Sequence, residues 1–314
     1  MIRTAFAAAS FLVLAFAGAA EARAPAAEDK DVARLVSFGG QCVSCELSGR
    51  RLVGARFTGA NFTKAVMVAS DLRGASFLGS NFAAADLSRA DLRGASMMGT
   101  NFAQSNFVAA NLEGIEATGA NFTNVDMSRA KLNGAELRGV IFIKANLDGG
   151  DFSESELIGS DLTAVSAQNA SFREADLSGA TLIKGRFSKA SFRDADLKGA
   201  NLISADFSNA DFRDADLSHA MLTNANFSGA RNLTQGQLDD ACSSGGAVLP
   251  RGLTVGPCRG ERRISINIDT RRIAEEAKAA AAAAIRVPPP PRFVPPAPPA
   301  PPVPPAPRFS VQPR

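Results

Sequence analysis

The chain has 314 residues and a formal charge of +3, with 34 Lys and Arg against 31 Asp and Glu, one His, no Trp and no Tyr. The charge is unevenly placed: residues 46–230 hold 18 basic and 21 acidic side chains, and residues 251–314 hold 11 and 4. The long body therefore lacks the one-signed surface of a nucleic-acid binder or of a nucleic-acid mimic.

The first 22 residues read as a secretory signal. Arg3 precedes an apolar run from Ala5 to Ala17, and small residues surround Ala20 and Ala22 as an A-x-A-like cleavage site. A retained membrane anchor is the alternative, but the run is shorter than the ~20 apolar residues a spanning helix needs. No Cys stands near the cleavage region, which argues against a lipid anchor there. Export from the cytoplasm is the expectation, and residues 23–40 form a separate N-terminal segment.

From Leu47 to Phe227 the chain keeps a beat of five: each of the 37 positions ending in 2 or 7 is Phe (15), Leu (17), Met (3) or Ala (2). The residue two earlier is nearly always small, as at Ala60, Ala90 and Ala180, and Asn or Asp often stands just before the beat, as at Asn61 and Asp91. Residues two apart share a face of extended chain, so Ala60 and Phe62 both point inward. The next pair, Ala65 and Met67, would point outward on a straight strand because five is odd. The chain must therefore turn once per repeat, and four turns close a square coil of 20 residues. Phe62, Phe82, Phe102, Phe122 and Phe142 recur at that interval, and Phe152, Phe172, Phe192 and Phe212 continue the column half a coil away. An all-β, four-sided solenoid follows, its aromatic lining crossing sides near residues 142–152 and its thickness held constant by dense packing. One repeat cannot stand alone, because fixing five residues costs about 5–10 kcal/mol of backbone entropy and burying one Phe or Leu returns only about 1.5–3 kcal/mol. Stability is then a nearest-neighbour sum along about nine coils, a rod of about 45 Å. No Pro interrupts residues 26–249, as a hydrogen-bonded ladder requires.

The motif resembles that of the pentapeptide-repeat family, A-(D/N)-(L/F)-x-x, here ADLSR (85–89), ADLRG (90–94), ANLEG (110–114), ADLSG (175–179), ADLKG (195–199) and ANFSG (225–229). The resemblance implies a right-handed quadrilateral β-helix over residues 41–230 of an exported bacterial protein. It leaves activity open, because one scaffold carries unrelated roles. Some members of the family mimic DNA and bind type II topoisomerases, which needs an acidic rod in the cytoplasm. The balanced charge and the export signal depart from that pattern on both counts.

Four Cys in an exported chain point to disulfides. The segment CVSCELSG resembles the start of the solenoid in bacterial relatives, and NLTQGQLDDAC their C-terminal cap, here residues 231–260. The resemblance implies one bridge at each end, from Cys42, Cys45, Cys242 and Cys258. For Cys42 and Cys45 a thioredoxin-like redox pair, half a metal site or free thiols are the alternatives. Redox motifs of that kind sit at a helix start beside a βαβ unit, and no such pattern surrounds these two.

Residues 261–287 combine ISINID, which alternates like a short strand and suits the final coil, with the Ala-rich helical pattern RRIAEEAKAAAAAAIR. Residues 288–314 carry 14 Pro. They predict polyproline II reaching roughly 80 Å, either a stiff spacer or a docking ligand with Arg292, Phe293, Arg308 and Phe309 as handles.

Candidate catalytic groups are sparse. His219 falls at a corner in DLSHA with no nucleophile near it in the repeat map. Asp196 and Asp216, just before the beat, are expected to serve turns, and Asp194 and Asp214 to face solvent. Gly74, Gly94 and Gly114 follow the coil and not a phosphate-binding pattern. The expectation is a non-enzymatic exported scaffold without cofactor, metal or nucleic-acid partner, meeting an unidentified protein or envelope component through the rod or the Pro-rich arm. The alternatives are a thiol–disulfide protein using Cys42 and Cys45, and a topoisomerase binder.

Overall fold

The computed structural model describes residues 40–258. The signal sequence, most of residues 23–40, the 261–287 segment and the Pro-rich arm with Arg292, Phe293, Arg308 and Phe309 lie outside the described residues.

Each bridge joins residue i to residue i+20 in parallel, from Gln41↔Asn61 to Asp211↔Arg231. The coil of 20 is therefore the register. Its four faces are numbered here from residues 61–65 (face 1), 66–70 (face 2), 71–75 (face 3) and 76–80 (face 4), each recurring every 20 residues. No face carries more than one bridge per coil, so the chain builds its sheets from single bridging residues and not from long strands. Two bonds flank each bridge. The Phe62 N–H donates to the Asn81 carbonyl at 2.7 Å, and the Asn81 N–H donates back to the Ala60 carbonyl at 2.8 Å. At nearly every corner the residue three past the beat donates to the beat carbonyl, as Ala65 N–H does to Phe62 at 2.9 Å, while at the Phe57 corner Ala60 N–H donates to Ser80 Oγ at 3.1 Å.

That corner demands a left-handed third residue. Every residue numbered in 4 or 9 from Ser44 to Gly229 has φ between 54° and 66°. Gly takes this conformation without penalty, and the non-Gly residues there, such as Lys64 and Ala84, hold it against steric cost. The corner N–H also joins the axial ladder, with Lys64 donating to the Ala83 carbonyl at 2.9 Å.

All 37 beat residues are buried, none more than 5% exposed. The rings of Phe62, Phe82, Phe102, Phe122 and Phe142 stack with centroids 4.8, 5.4, 5.1 and 5.3 Å apart. Phe152, Phe172, Phe192 and Phe212 stack at 5.2, 5.1 and 5.3 Å. Phe57 and Phe77 flank the first column at 5.3 Å, and Phe187, Phe207 and Phe227 flank the second at 5.1 Å per step. Hydroxyls replace Ala in the small slot where they reach a carbonyl. Ser70 donates to Met67 at 2.8 Å, Ser155 to Phe152 at 2.7 Å and Thr100 to Phe77 at 2.7 Å, so burial leaves none of them unpaired.

The coil begins earlier than the hydrophobic beat. Cys42 occupies a beat position and Cys45 the next small slot, and Cys42 N–H already donates to the Asn61 carbonyl at 2.8 Å. Their bond spans one corner turn, putting a covalent bridge where later repeats place a packed pair.

At the other end the register slips: Met221 pairs with Cys242 and Asn226 with Val248, offsets of 21 and 22, before Cys242 pairs with Gly256. The first slip holds a short helix, α1 (Gln235–Leu238), whose Leu238 is fully buried. The Thr234 N–H donates to Gln237 Oε1 at 2.8 Å, orienting that amide. Its Nε2 donates to the carbonyls of Phe212 at 2.7 Å and Ala215 at 2.8 Å. Gln237 thus supplies from a side chain the donors that another coil would have offered from its backbone. Leu233, Leu249, Leu253 and Val255 pack over the lumen, and the Cys242–Cys258 bond ties the cap across its last bridge.

Candidate interaction surface

The interior is filled, so chemistry and recognition fall to the exterior, where closure turns sequence positions 20 apart into columns with about 4.8 Å between steps. The residue before the beat makes the column and also folds its own corner. Asp196 Oδ1 accepts the Lys198 N–H at 2.8 Å, Asp216 Oδ1 the Ser218 N–H at 2.8 Å, and Asn61 Oδ1 the Thr63 N–H at 3.1 Å. This is the Asx geometry that Asp and Asn alone offer well. Asp194 and Asp214 instead face outward, and Asp214 meets Arg213 at 3.3 Å.

Each face has its own character. On face 1 an amide ladder climbs the rod: Asn81 Nδ2 donates to Thr63 Oγ1 at 3.1 Å, Asn101 to Asn81 at 3.0 Å and Asn121 to Asn101 at 3.3 Å. The ladder stops at Ile141, 37% exposed, and from there Ile143, Ile183 and Ile203 lie half-buried on the same face up to Met221, 36% exposed. On face 4, successive bridges align Glu116, Glu136, Glu156, Asp176, Asp196 and Asp216. Arg138 Nε meets Glu156 at 2.6 Å and Lys198 Nζ meets Asp216 at 3.2 Å, relieving part of that repulsion. Burial pushes the Asp216 carboxyl upward, but hydrogen bonds from Ser218 and the Lys198 charge together hold it below its ordinary value.

Face 3 alternates charge. Arg73 grips Asp71 with both guanidinium arms at 2.8 Å and lies 3.7 Å from Asp91, which Arg93 holds at 2.7 Å. These Arg hydrogen bonds draw Asp71 and Asp91 below the usual carboxylate range, against a smaller opposing effect of burial. Further up, Arg173, Arg193 and Arg213 stack around an open surface cleft shared with Asp194 and Asp214. His219 is an exposed, left-handed corner residue whose N–H donates to the Asp240 carbonyl at 2.9 Å. Among the described residues, no cluster of three or more His, Cys, Asp and Glu side chains is placed to hold a metal ion.

A solid four-sided β-solenoid with residue columns outside and a capped end defines the class of fold. Family models agree: one for pentapeptide repeats matches residues 41–79, 155–194 and 190–229, and one for a pentapeptide repeat region matches 65–142. The chain belongs to the pentapeptide-repeat family.

Among solved structures it is similar to HetL from the cyanobacterium Nostoc sp. strain PCC 7120, a pentapeptide repeat protein involved in heterocyst differentiation regulation. The identity is 27% over 69% of this chain and 93% of that one, with a TM-score of 0.40. QnrB1, a plasmid-mediated fluoroquinolone resistance protein, is 20% identical over 67% and 91%, with a TM-score of 0.37. A pentapeptide repeat protein of the Arabidopsis thaliana thylakoid lumen is 30% identical over 32% and 66%, with a TM-score of 0.21. A search of curated proteins gives no match.

Proposed function

We propose that this chain is an exported, non-enzymatic scaffold: a right-handed rod that presents ordered columns to a protein or envelope partner, with residues 288–314 as a Pro-rich spacer or docking arm. The observation that carries the reading is the filled interior. With all 37 beat residues buried, the rod offers a partner only its outside, where side chains 20 residues apart line up along the axis. The signal-like start supports export, and Arg292, Phe293, Arg308 and Phe309 are the handles expected in the arm. Cys42, Cys45, Cys242 and Cys258 serve as end staples in this reading.

The test uses the full chain produced in a bacterial host. It is expected in the periplasmic or secreted fraction, shortened by about the first 22 residues, with no titratable thiol. Crosslinking to an envelope protein should weaken when residues 288–314 are removed or when a face is recharged. Retention in the cytoplasm, or reactive low-pKa thiols at Cys42 and Cys45, would refute the scaffold reading, the second outcome in favour of thiol–disulfide exchange. Inhibition of DNA supercoiling by the purified rod would point to the topoisomerase class instead.

A further inference from the structure

The apolar strip on face 1 lies where the chain leaves the rod. Gly256 stacks on Cys242, and Cys242 on Met221, all in the first column of face 1. Residue 258 therefore ends about 10 Å beyond Met221, two coil steps along the axis. From Met221 back to Ile141 the face covers four coil steps, about 19 Å, with Asp161, Thr181 and Asn201 between them in the first column and the isoleucines in the column beside it. Along it the small residues of the earlier coils, Thr63, Ala83, Ala103 and Thr123, give way to Ile143, Thr163, Ile183 and Ile203. Nothing in the coil's own geometry requires that change, because the position faces outward in every repeat.

We infer that this strip is the docking site of a segment of the same chain, residues 264–269. Ile264, Ile266 and Ile268 alternate there with Ser265, Asn267 and Asp269, which gives extended chain one apolar side and one polar side. Six residue steps lead from Cys258 to Ile264, a reach of roughly 20 Å, enough to return to Met221. Five steps of extended chain then span about 17 Å, close to the strip's own length. Tethering favours this occupant over any free partner, because a five-residue leash holds the segment at about millimolar effective concentration. The consequence is directional. After Asp269 the chain then leaves from the flank of the rod near the coil where the aromatic lining crosses, and not from its tip.

Limited trypsin digestion of the full, oxidised chain tests the inference. Arg263 and Arg271 bracket the segment, and Arg308 in the arm serves as an internal reference. Cleavage after Arg263 and Arg271 is expected to be slow relative to Arg308. It should accelerate at least tenfold in Ile183→Ser/Ile203→Ser, with Arg308 unchanged. Ser already occupies the equivalent place after the beat at Ser88 and Ser128, so the rod should tolerate it. Ile266→Asp, which leaves the rod untouched, must reproduce the acceleration, and it decides the matter if the first variant fails to fold. Unchanged cleavage in Ile266→Asp overturns the inference. So does protection that disappears on hundredfold dilution, which would assign the strip to a second copy of the chain.

Discussion

Phe142 and Phe152 meet edge to face, their centroids 6.2 Å apart and their planes at 88°. One closes the first stacked column and the other opens the second, so the wide side of the lumen passes across the rod through a single aromatic contact. Ring edges and faces attract in this arrangement, which lets the change of side occur within one coil. Phe152→Ala should therefore cost about 3–5 kcal/mol, the usual range for emptying a Phe site in a core that cannot collapse. Urea unfolding monitored by circular dichroism measures it. A cost below 1 kcal/mol would mean the lining repacks freely and the column is not a rigid stack.

Gly74 and Gly185 separate two reasons for having no side chain. Gly74 is a left-handed corner with φ 61° and open space around its missing Cβ, so Gly74→Ala should cost about 1 kcal/mol by conformation alone. Gly185 fills a small slot, where a Cβ would strike the Phe187 ring at Cε2 and approach the Leu182 carbonyl oxygen to 3.1 Å. Gly185→Ala should cost more, about 2–3 kcal/mol from overpacking. That excess should vanish in a Phe187→Leu background, and the same unfolding measurements in a double-mutant cycle give the coupling.

The coil is the unit of the fold. Deleting residues 172–191 removes one full turn and rejoins faces in register, so a shorter folded rod is expected. Deleting any three residues from the same stretch turns core positions outward and should unfold the chain. Thermal unfolding of the two variants checks this, and equal tolerance would contradict the four-sided closure.

Asp71 and Asp91 carry a pH signature. Both bind protons less readily in the folded rod, so their contribution is present above the ordinary Asp pKa of about 3.9 and is lost as pH falls below it. Asp71→Asn/Asp91→Asn keeps the corner hydrogen bond, as Asn61 and Asn81 do, and removes only the ion pairs. The Tm gap to the parent chain should be small but measurable near pH 6, since the pairs are exposed. It should disappear by about pH 2. A gap constant across that range would show that the ion pairs contribute nothing.

An odd period with two inward residues admits no straight strand, so the beat by itself determined the square coil, its 20-residue register, the buried lining of the repeats and the crossing of the aromatic lining. Each of these follows from local alternation, which a chain carries residue by residue. The left-handed corner was written less openly: Gly fills 16 of the positions ending in 4 or 9 from Ser44 to Gly229, but Lys, Ala, Asn and Asp fill others and blur the signal. Cys42 as a beat residue was hidden because a disulfide there replaces the apolar pair that defines the rhythm.

Tertiary structure alone decided the rest. The slipped register of 21 and 22 past Met221, the helix holding Leu238, and the Gln237 amide on the carbonyls of Phe212 and Ala215 arise where the repeat ends and no period remains to read. The face-by-face columns likewise exist only after closure, because the axial hydrogen bonds bring together side chains that are 20 residues apart along the chain.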